Sequence, residues 1–160
     1  MSFPERTTIQ SHTIIIVPRY SETDQGGVVH HSVYPVWFEM GRTELLRVNN
    51  VAYKDLEKAG VFFVVAELCI KYRRPSVYDE QLQLETSCSK VTAGRIEHIY
   101  KLTRCSDPAA TGSAEASGVI LAEGSSVLAC VDAQGKVRRI PEFMYPQSAV
   151  KTSCGEETII

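Results

Sequence analysis

The spacing of apolar residues changes period twice along this chain, and the changes divide it into elements. Thr13–Tyr20 is a β-branched run that predicts a strand. Pro18, near its end, cannot donate to a sheet ladder, so this strand belongs at an edge or bends there. Glu22–Gly27 reads as loop. From Ser32 the period lengthens: Val33, Val36/Trp37, Met40/Gly41, Glu44/Leu45 and Val48 recur at three- and four-residue steps, which predicts one long apolar helix. Ser32 stands where an N-cap belongs, Pro35 is tolerated in a first turn, and Asn49-Asn50 supplies a stop. A shorter helix over Tyr53–Ala59 ends at Gly60.

The period then shortens. Val61–Tyr72 is largely apolar. Glu80–Ser89 alternates Leu82, Leu84, Thr86 and Cys88 against Gln81, Gln83, Glu85 and Ser87, which predicts a strand with one buried and one wet face. Ala93-Gly94 turns the chain into Arg95–Arg104, where Ile96, His98, Tyr100 and Leu102 share a side. Ser106–Gly118 reads as a long polar loop, and Ser117–Val131 as the last strand, kinked at Glu123-Gly124. Consecutive strands with short links imply an antiparallel sheet with the helices on one face, an α+β domain. The expected layout is a loose N-terminus over residues 1–12, one domain over 13–146 and a weakly ordered tail over 147–160.

Composition narrows the classes of function. The 160 residues are 44% hydrophobic and 22% charged, which fits a single soluble domain. A net charge of −2 gives no bulk reason to expect nucleic acid or an anionic membrane. The longest apolar runs, such as Val61–Ala66, are too short to span a bilayer. No charged n-region followed by an apolar run opens the chain, so a secretory signal is not expected. Five cysteines, odd in number and without a C-x-x-C pair, read as reduced thiols in a cytoplasm, and no Cys/His spacing suggests a metal site. There is no glycine-rich nucleotide fingerprint.

The candidate chemistry lies in Tyr20-Ser-Glu-Thr-Asp24-Gln-Gly-Gly-Val-Val-His-His31, which leads into the long helix. A helix N-terminus presents unpaired N–H groups and a partial positive charge, which can polarise a carbonyl oxygen. A carboxylate just upstream can attack the carbonyl carbon or activate water. Together these are the components of acyl transfer or hydrolysis. Asp24 also has a plain alternative role as a turn residue ahead of two glycines. Glu39, on the helix, is the other carboxylate to weigh. His98 sits on an apolar strand face, where a hydrogen-bonded core histidine is the simpler expectation.

Tyr20, Asp24, Gly27, Val28, Val29 and His31 form the pattern Tyr-x-x-x-Asp-x-x-Gly-Val-Val-x-His. It continues as Tyr34-x-x-x-Phe38-Glu39-x-x-Arg42-Thr43-Glu44, with Phe63-Val-Val65 and Tyr72-x-x-Pro75-x-x-x-Asp79 later. In these positions the sequence resembles the hotdog-fold acyl-CoA thioesterases of the 4-hydroxybenzoyl-CoA thioesterase type, in their small bacterial branch. The resemblance runs over residues 13–142. It departs from the branch at His30, where tyrosine is usual, at Glu22, where aspartate is frequent, and in the length of the Ser106–Gly118 loop.

The resemblance implies an antiparallel sheet wrapped around one long central helix, and hydrolysis of acyl-CoA to carboxylate and CoA without a cofactor or metal. It implies Asp24 as the catalytic carboxylate, acting as nucleophile or general base, with the His31 amide polarising the thioester oxygen. Tyr20 and the His31 side chain assist by hydrogen bonding. Val65 falls in the substrate-binding set. Lys71, Arg73 and Arg74 on one strand, and Lys90 and Arg95 about the hairpin, are candidates for the CoA phosphates. The basic run that one branch carries at that hairpin is here Thr92-Ala93-Gly94. Family members pair as homodimers or homotetramers with active sites at the dimer interface. Two alternatives accompany this reading: a thioesterase for acyl carrier protein or polyketide intermediates, and a non-catalytic acyl-binding module.

Overall fold

A computed structural model describes residues 3–105 and 118–146. Its elements run β1 (Ser11–Ile16), α1 (Val33–Val48), α2 (Tyr53–Lys58), β2 (Phe62–Tyr72), β3 (Leu82–Val91), β4 (Arg95–Arg104) and β5 (Ile120–Val131). A turn of 3-10 helix precedes α1 at Tyr20–Glu22 and another follows β5 at Glu142–Met144. Nearly all of the Ser106–Gly118 loop, and the 147–160 tail, lie outside the described residues.

The five strands form one antiparallel sheet in the order β1-β3-β4-β5-β2, curved around α1 in a hotdog fold. β1 does lie at an edge. The expectation that four consecutive strands would follow one another by short links is corrected at β2. This strand pairs with β5, not β3, and stands at the opposite edge from β1, so the 73–81 segment crosses to the far side. The register shifts between Val65 and Glu67, and between Cys88 and Lys90. Another shift leaves Leu121 as the extra residue in β5, so the irregularity falls two residues before the expected kink at Glu123-Gly124. Extra residues of this kind bend a strand and raise its twist, which lets five strands wrap a helix.

Side-chain size decides how closely helix and sheet approach. Gly41 of α1 sits on Thr86, and Gly124 of β5 lies under the Phe38 ring, where a Cβ would also meet Cys69 O at 2.8 Å. Phe38 stacks on Tyr100 with centroids 4.3 Å apart. It is fully buried, which contributes roughly 2–3 kcal/mol of hydrophobic stabilisation. Trp37, Leu82, Leu84, Leu102 and Leu121 complete this core. A second cluster of Val51, Leu56, Val61, Ile96, Cys130, Ile140 and Met144 packs α2 against the other end of the sheet.

Asn49 ends α1 and Asn50 takes φ +59, the left-handed conformation asparagine tolerates after a helix. Buried Asn49 also holds the N-terminal segment. Its Oδ1 accepts from the N–H groups of Thr8 and Ile9, while Nδ2 donates to the Ile9 and Leu45 carbonyls. Residues 7–10, placed by polarity alone in a loose terminus, thus have fixed partners, with Thr7 N–H on Phe143 O and Gln10 O on Cys88 N–H. Among the described residues no helix is long and apolar enough to cross a membrane.

Candidate active site

The Asp24 loop is a tight hairpin. Thr23 bridges Val29, Asp24 N–H donates to Val28 O, and Gly27 N–H returns to Asp24 O at 3.0 Å. Gly27 has φ +74, which a side chain would strain. Asp24 Oδ1 accepts from Gly26 N–H at 2.7 Å, so one carboxylate oxygen fills the turn role. Oδ2 has no hydrogen-bond partner among the described residues, and Asp24 is exposed.

Buried Glu22 fixes this hairpin against the helix start. Its carboxylate accepts from Arg19 N–H at 2.7 Å and from the Arg19 guanidinium at 2.8 Å, and its carbonyl accepts from His30 N–H at 2.9 Å. Burial alone would raise the Glu22 carboxyl, but the Arg19 hydrogen bonds, the Arg19 charge and the Trp37 indole outweigh it and hold the group below the usual range. The loop also docks on the segment after β2. Val29 N–H donates to Ser76 O at 2.9 Å, and the Tyr72 hydroxyl donates to His31 O at 3.0 Å.

At the helix start Ser32 stands at the expected N-cap position but does not make the capping bond. Its hydroxyl pairs with His30 Nδ1 at 2.8 Å. The His31 backbone N–H has no protein acceptor among the described residues. The His31 ring is exposed and lies 4.1 Å from the His30 ring. Tyr20 is 79% exposed and meets Tyr78 edge-on at 5.8 Å, and its hydroxyl has no hydrogen-bond partner among the described residues.

His31 opens onto a cleft of about 280 Å³ whose other wall is Tyr72, Arg73, Arg74 and Pro75. Arg73 pairs with Glu123 at 2.9 Å, while Arg74 has no ionic partner among the described residues. Lys71 is exposed on β2 just before this wall. Lys90 and Arg95 are not part of the cleft. Tyr72 pairs with Ala122 of β5 and Arg95 with Ala129, which separates the two ends by roughly 23 Å of strand. Lys90 itself faces Glu97 at 3.8 Å.

A larger pocket of about 390 Å³ lies between the second half of α1 and strands β2, β4 and β5. Val65 lines it, with Phe63, Leu128, Arg42, Thr43 and His98. His98 corrects an expectation. It is buried, but its Nδ1 has no hydrogen-bond partner among the described residues. Burial, with Arg42 nearby, lowers its pKa to about 4, so the imidazole is neutral near pH 7. Sequence reading also missed Tyr72 as a site residue. Its only signal was its place at the head of the Tyr72-x-x-Pro75 motif. Among the described residues no group of three or more His, Cys, Asp or Glu could hold a metal ion.

A hotdog sheet around one helix, with a carboxylate hairpin locked to the helix start beside a basic-rimmed cleft, is the architecture of a thioester-processing domain. Comparison with known proteins agrees. Residues 18–147 match the model of the thioesterase-like superfamily. The chain is 34% identical over 122 residues to the acyl-CoA thioesterase YbgC of Haemophilus influenzae, covering 76% of this chain and 80% of that protein. It is 44% identical to the Bacillus subtilis protein YneP over 68 residues, 42% of this chain and 49% of that one. The crystal structure of DHNA-CoA thioesterase from Staphylococcus aureus superposes with a TM-score of 0.71 at 27% identity, covering 81% of this chain and 80% of that one. The chain belongs to the thioesterase-like superfamily, and it is a thioester hydrolase.

Proposed function

We propose that the chain hydrolyses acyl-CoA thioesters, with Asp24 as the reacting carboxylate and the His31 N–H as the oxyanion donor. The observation that carries this reading is the pairing of a carboxylate oxygen left without a partner with a backbone donor left without an acceptor. Both sit on one loop that Glu22 and Tyr72 hold against the helix start. The thioester carbonyl oxygen accepts from the His31 amide, where preorganised donors stabilise charge as it develops. Asp24 Oδ2 then either attacks the carbonyl carbon and expels CoA thiolate, giving a mixed anhydride that water hydrolyses to the free acid and Asp24, or takes a proton from a water that attacks the carbonyl carbon and expels CoA thiolate directly. Arg74, with Lys71 and Arg73 beside it, offers charge to the CoA phosphates at the cleft rim. The Tyr20–His31 motif further favours the 4-hydroxybenzoyl-CoA thioesterase type within the superfamily.

The same reading includes a homodimer. Val64, Val65, Leu68 and Tyr72 along the β2 edge are each 43–49% exposed, and Val36 and Met40 of α1 are 52% and 46% exposed. An apolar, unpaired edge strand invites a partner. A second copy there would cover the pocket, shield Asp24 from water, and is the one route by which Tyr20, Lys90 or Arg95 would reach a substrate.

The test is thiol release from short, medium, long and aromatic acyl-CoAs, with acyl carrier protein thioesters in parallel, for the wild type and Asp24→Asn. The substitution keeps the shape and removes the basicity and charge. We expect acyl-CoA turnover, and a fall in kcat of about 10²-fold or more in the variant. Undiminished turnover in Asp24→Asn would overturn the assignment of the carboxylate, and turnover of carrier-protein thioesters alone would overturn the substrate.

A further inference from the structure

The outer edge of β2 is open over only part of its length. Arg73 N–H bonds Leu121 O on β5 at 2.8 Å, so by alternation Lys71, Cys69 and Glu67 also turn their backbone groups to β5. Leu68, Ile70 and Tyr72 turn theirs outward, and these have no backbone partner among the described residues. The register shift between Val65 and Glu67 leaves Ala66 unpaired, and beyond it the Phe63 N–H and C=O are already taken by the Tyr53 hydroxyl at 3.2 Å. A pairing strand therefore has the stretch from Glu67 to Tyr72. Ile70 packs toward the core, while Glu67, Cys69 and Lys71 stand exposed on the other face. Neither charge has an ionic partner among the described residues. Val127 lies opposite Glu67 on β5, and Glu123, opposite Lys71, is held by Arg73 at 2.9 Å.

An open strand with one acid and one base flanking a midpoint is complementary to itself. A second copy pairs antiparallel about a two-fold axis, and outward groups must meet outward groups, so the axis passes through a single residue. Axes at Glu67 or Lys71 set like charges face to face, which is destabilising. Axes at Leu68 or Ile70 set Lys71 against the partner's Val65 or the partner's Cys69, and leave it without a carboxylate opposite. An axis at Cys69 sets Glu67 of each copy opposite the partner's Lys71. It also continues the row Lys101, Glu123, Lys71, which alternates in sign across β4, β5 and β2. We propose, building on the homodimer reading, that the β2 edge takes the β2 edge of a second copy in this register, with two Glu67–Lys71 ion pairs about an axis at Cys69. Cys69 then faces the partner's Cys69 in a pair without hydrogen bonds, with Cα atoms about 4.5 Å apart and inside the range a disulfide spans. Axes at Leu68 or Ile70 make the two thiols diagonal neighbours, roughly 7–8 Å apart.

Two measurements read the register. Sedimentation equilibrium compares the wild type, Glu67→Lys, Lys71→Glu and the double variant. Each single change turns two attractive pairs into two repulsive ones, and should raise the dimer dissociation constant about tenfold. The double variant restores opposite charges with the signs exchanged, and should return the constant to within about twofold of the wild type. Separately, the folded protein is treated briefly with diamide, which takes two hydrogen atoms from a pair of thiols. The wild type should give a covalent dimer and Cys69→Ser none. No restoration in the double variant, or a wild-type dimer that diamide does not link through Cys69, would each overturn the register and leave the homodimer and thioesterase readings intact. A wild type that sediments as a monomer would overturn the homodimer reading and the register with it. Acyl-CoA turnover by the same wild-type samples tests the thioesterase reading separately.

Discussion

His98 makes the stability of this protein depend on pH in a window where carboxylates contribute little. The groups around the ring are Arg42 and Glu39 of α1, Cys88 opposite it on β3, and Tyr53 across the pocket. Burial, then the Arg42 charge, lowers the folded pKa to about 4 from an ordinary value of 6.5. The unfolded chain therefore binds more protons than the folded one between those values, and stability falls as pH falls through 6.5 toward 4. With these two pKa values the loss between pH 7 and pH 5 is about 2 kcal/mol. Glu22, whose folded carboxyl Arg19 holds below its unfolded value, adds a loss of the same sign toward the acid end of the window, and this is common to the wild type and the variant. Urea unfolding of the wild type and His98→Phe at both pH values isolates the contribution, since other groups cancel in the difference. The wild type should lose about 2 kcal/mol more than the variant. Parallel losses would mean that the imidazole finds water or a partner when protonated, and the reasoning from burial would be refuted.

Other residues give sharper functional or structural readouts. Arg74→Ala should raise KM several-fold for acyl-CoA and leave hydrolysis of a pantetheine thioester, which lacks the nucleotide phosphates, unchanged; equal effects on both would remove Arg74 from phosphate binding. Asn49→Ala leaves the Thr8 and Ile9 N–H groups and the Ile9 and Leu45 carbonyls without their partner, so urea unfolding should show a loss of about 2–3 kcal/mol. Leu68→Lys places a charge on the β2 edge and should convert the dimer proposed above to monomer in light scattering, with activity falling in step. A fully active monomer would refute the interface.

The sequence shows the local alternations plainly and the long-range pairings poorly. β4 reads correctly because Ile96, His98, Tyr100 and Leu102 obey the two-residue period, and all four are buried. The apolar run of β2 gives no sign in sequence that its middle is exposed at a sheet edge, because hydrophobicity states that a surface is to be covered and not by what. Strand adjacency has no local signal either. β2 joins β5 across the sheet, and this separates Lys90 and Arg95 from Arg74 although all lie within 21 positions of one another. In the candidate site, the Asp24 and His31 positions were legible from the motif and from helix-end chemistry. The partnerless state of His98 was not, since a histidine on an apolar face looks the same in sequence whether or not a donor lies opposite.

Glu22 explains why the loop can hold a reactive geometry without being buried itself. A carboxylate withdrawn from water is costly unless its oxygens are satisfied, and here the Arg19 N–H and the Arg19 guanidinium satisfy them, while the Trp37 indole further favours the charged form. Arg19 ends the β1 connection and Trp37 belongs to α1, while the Glu22 carbonyl holds His30. Removing the charge would therefore release the hairpin from the helix and let Asp24 move relative to the His31 amide. On the proposed mechanism a shift of an ångström between carboxylate and oxyanion donor is enough to lower the rate about a hundredfold. On that mechanism the buried acid two residues before Asp24 is a positioning group, holding the hairpin through Arg19 and the His30 N–H.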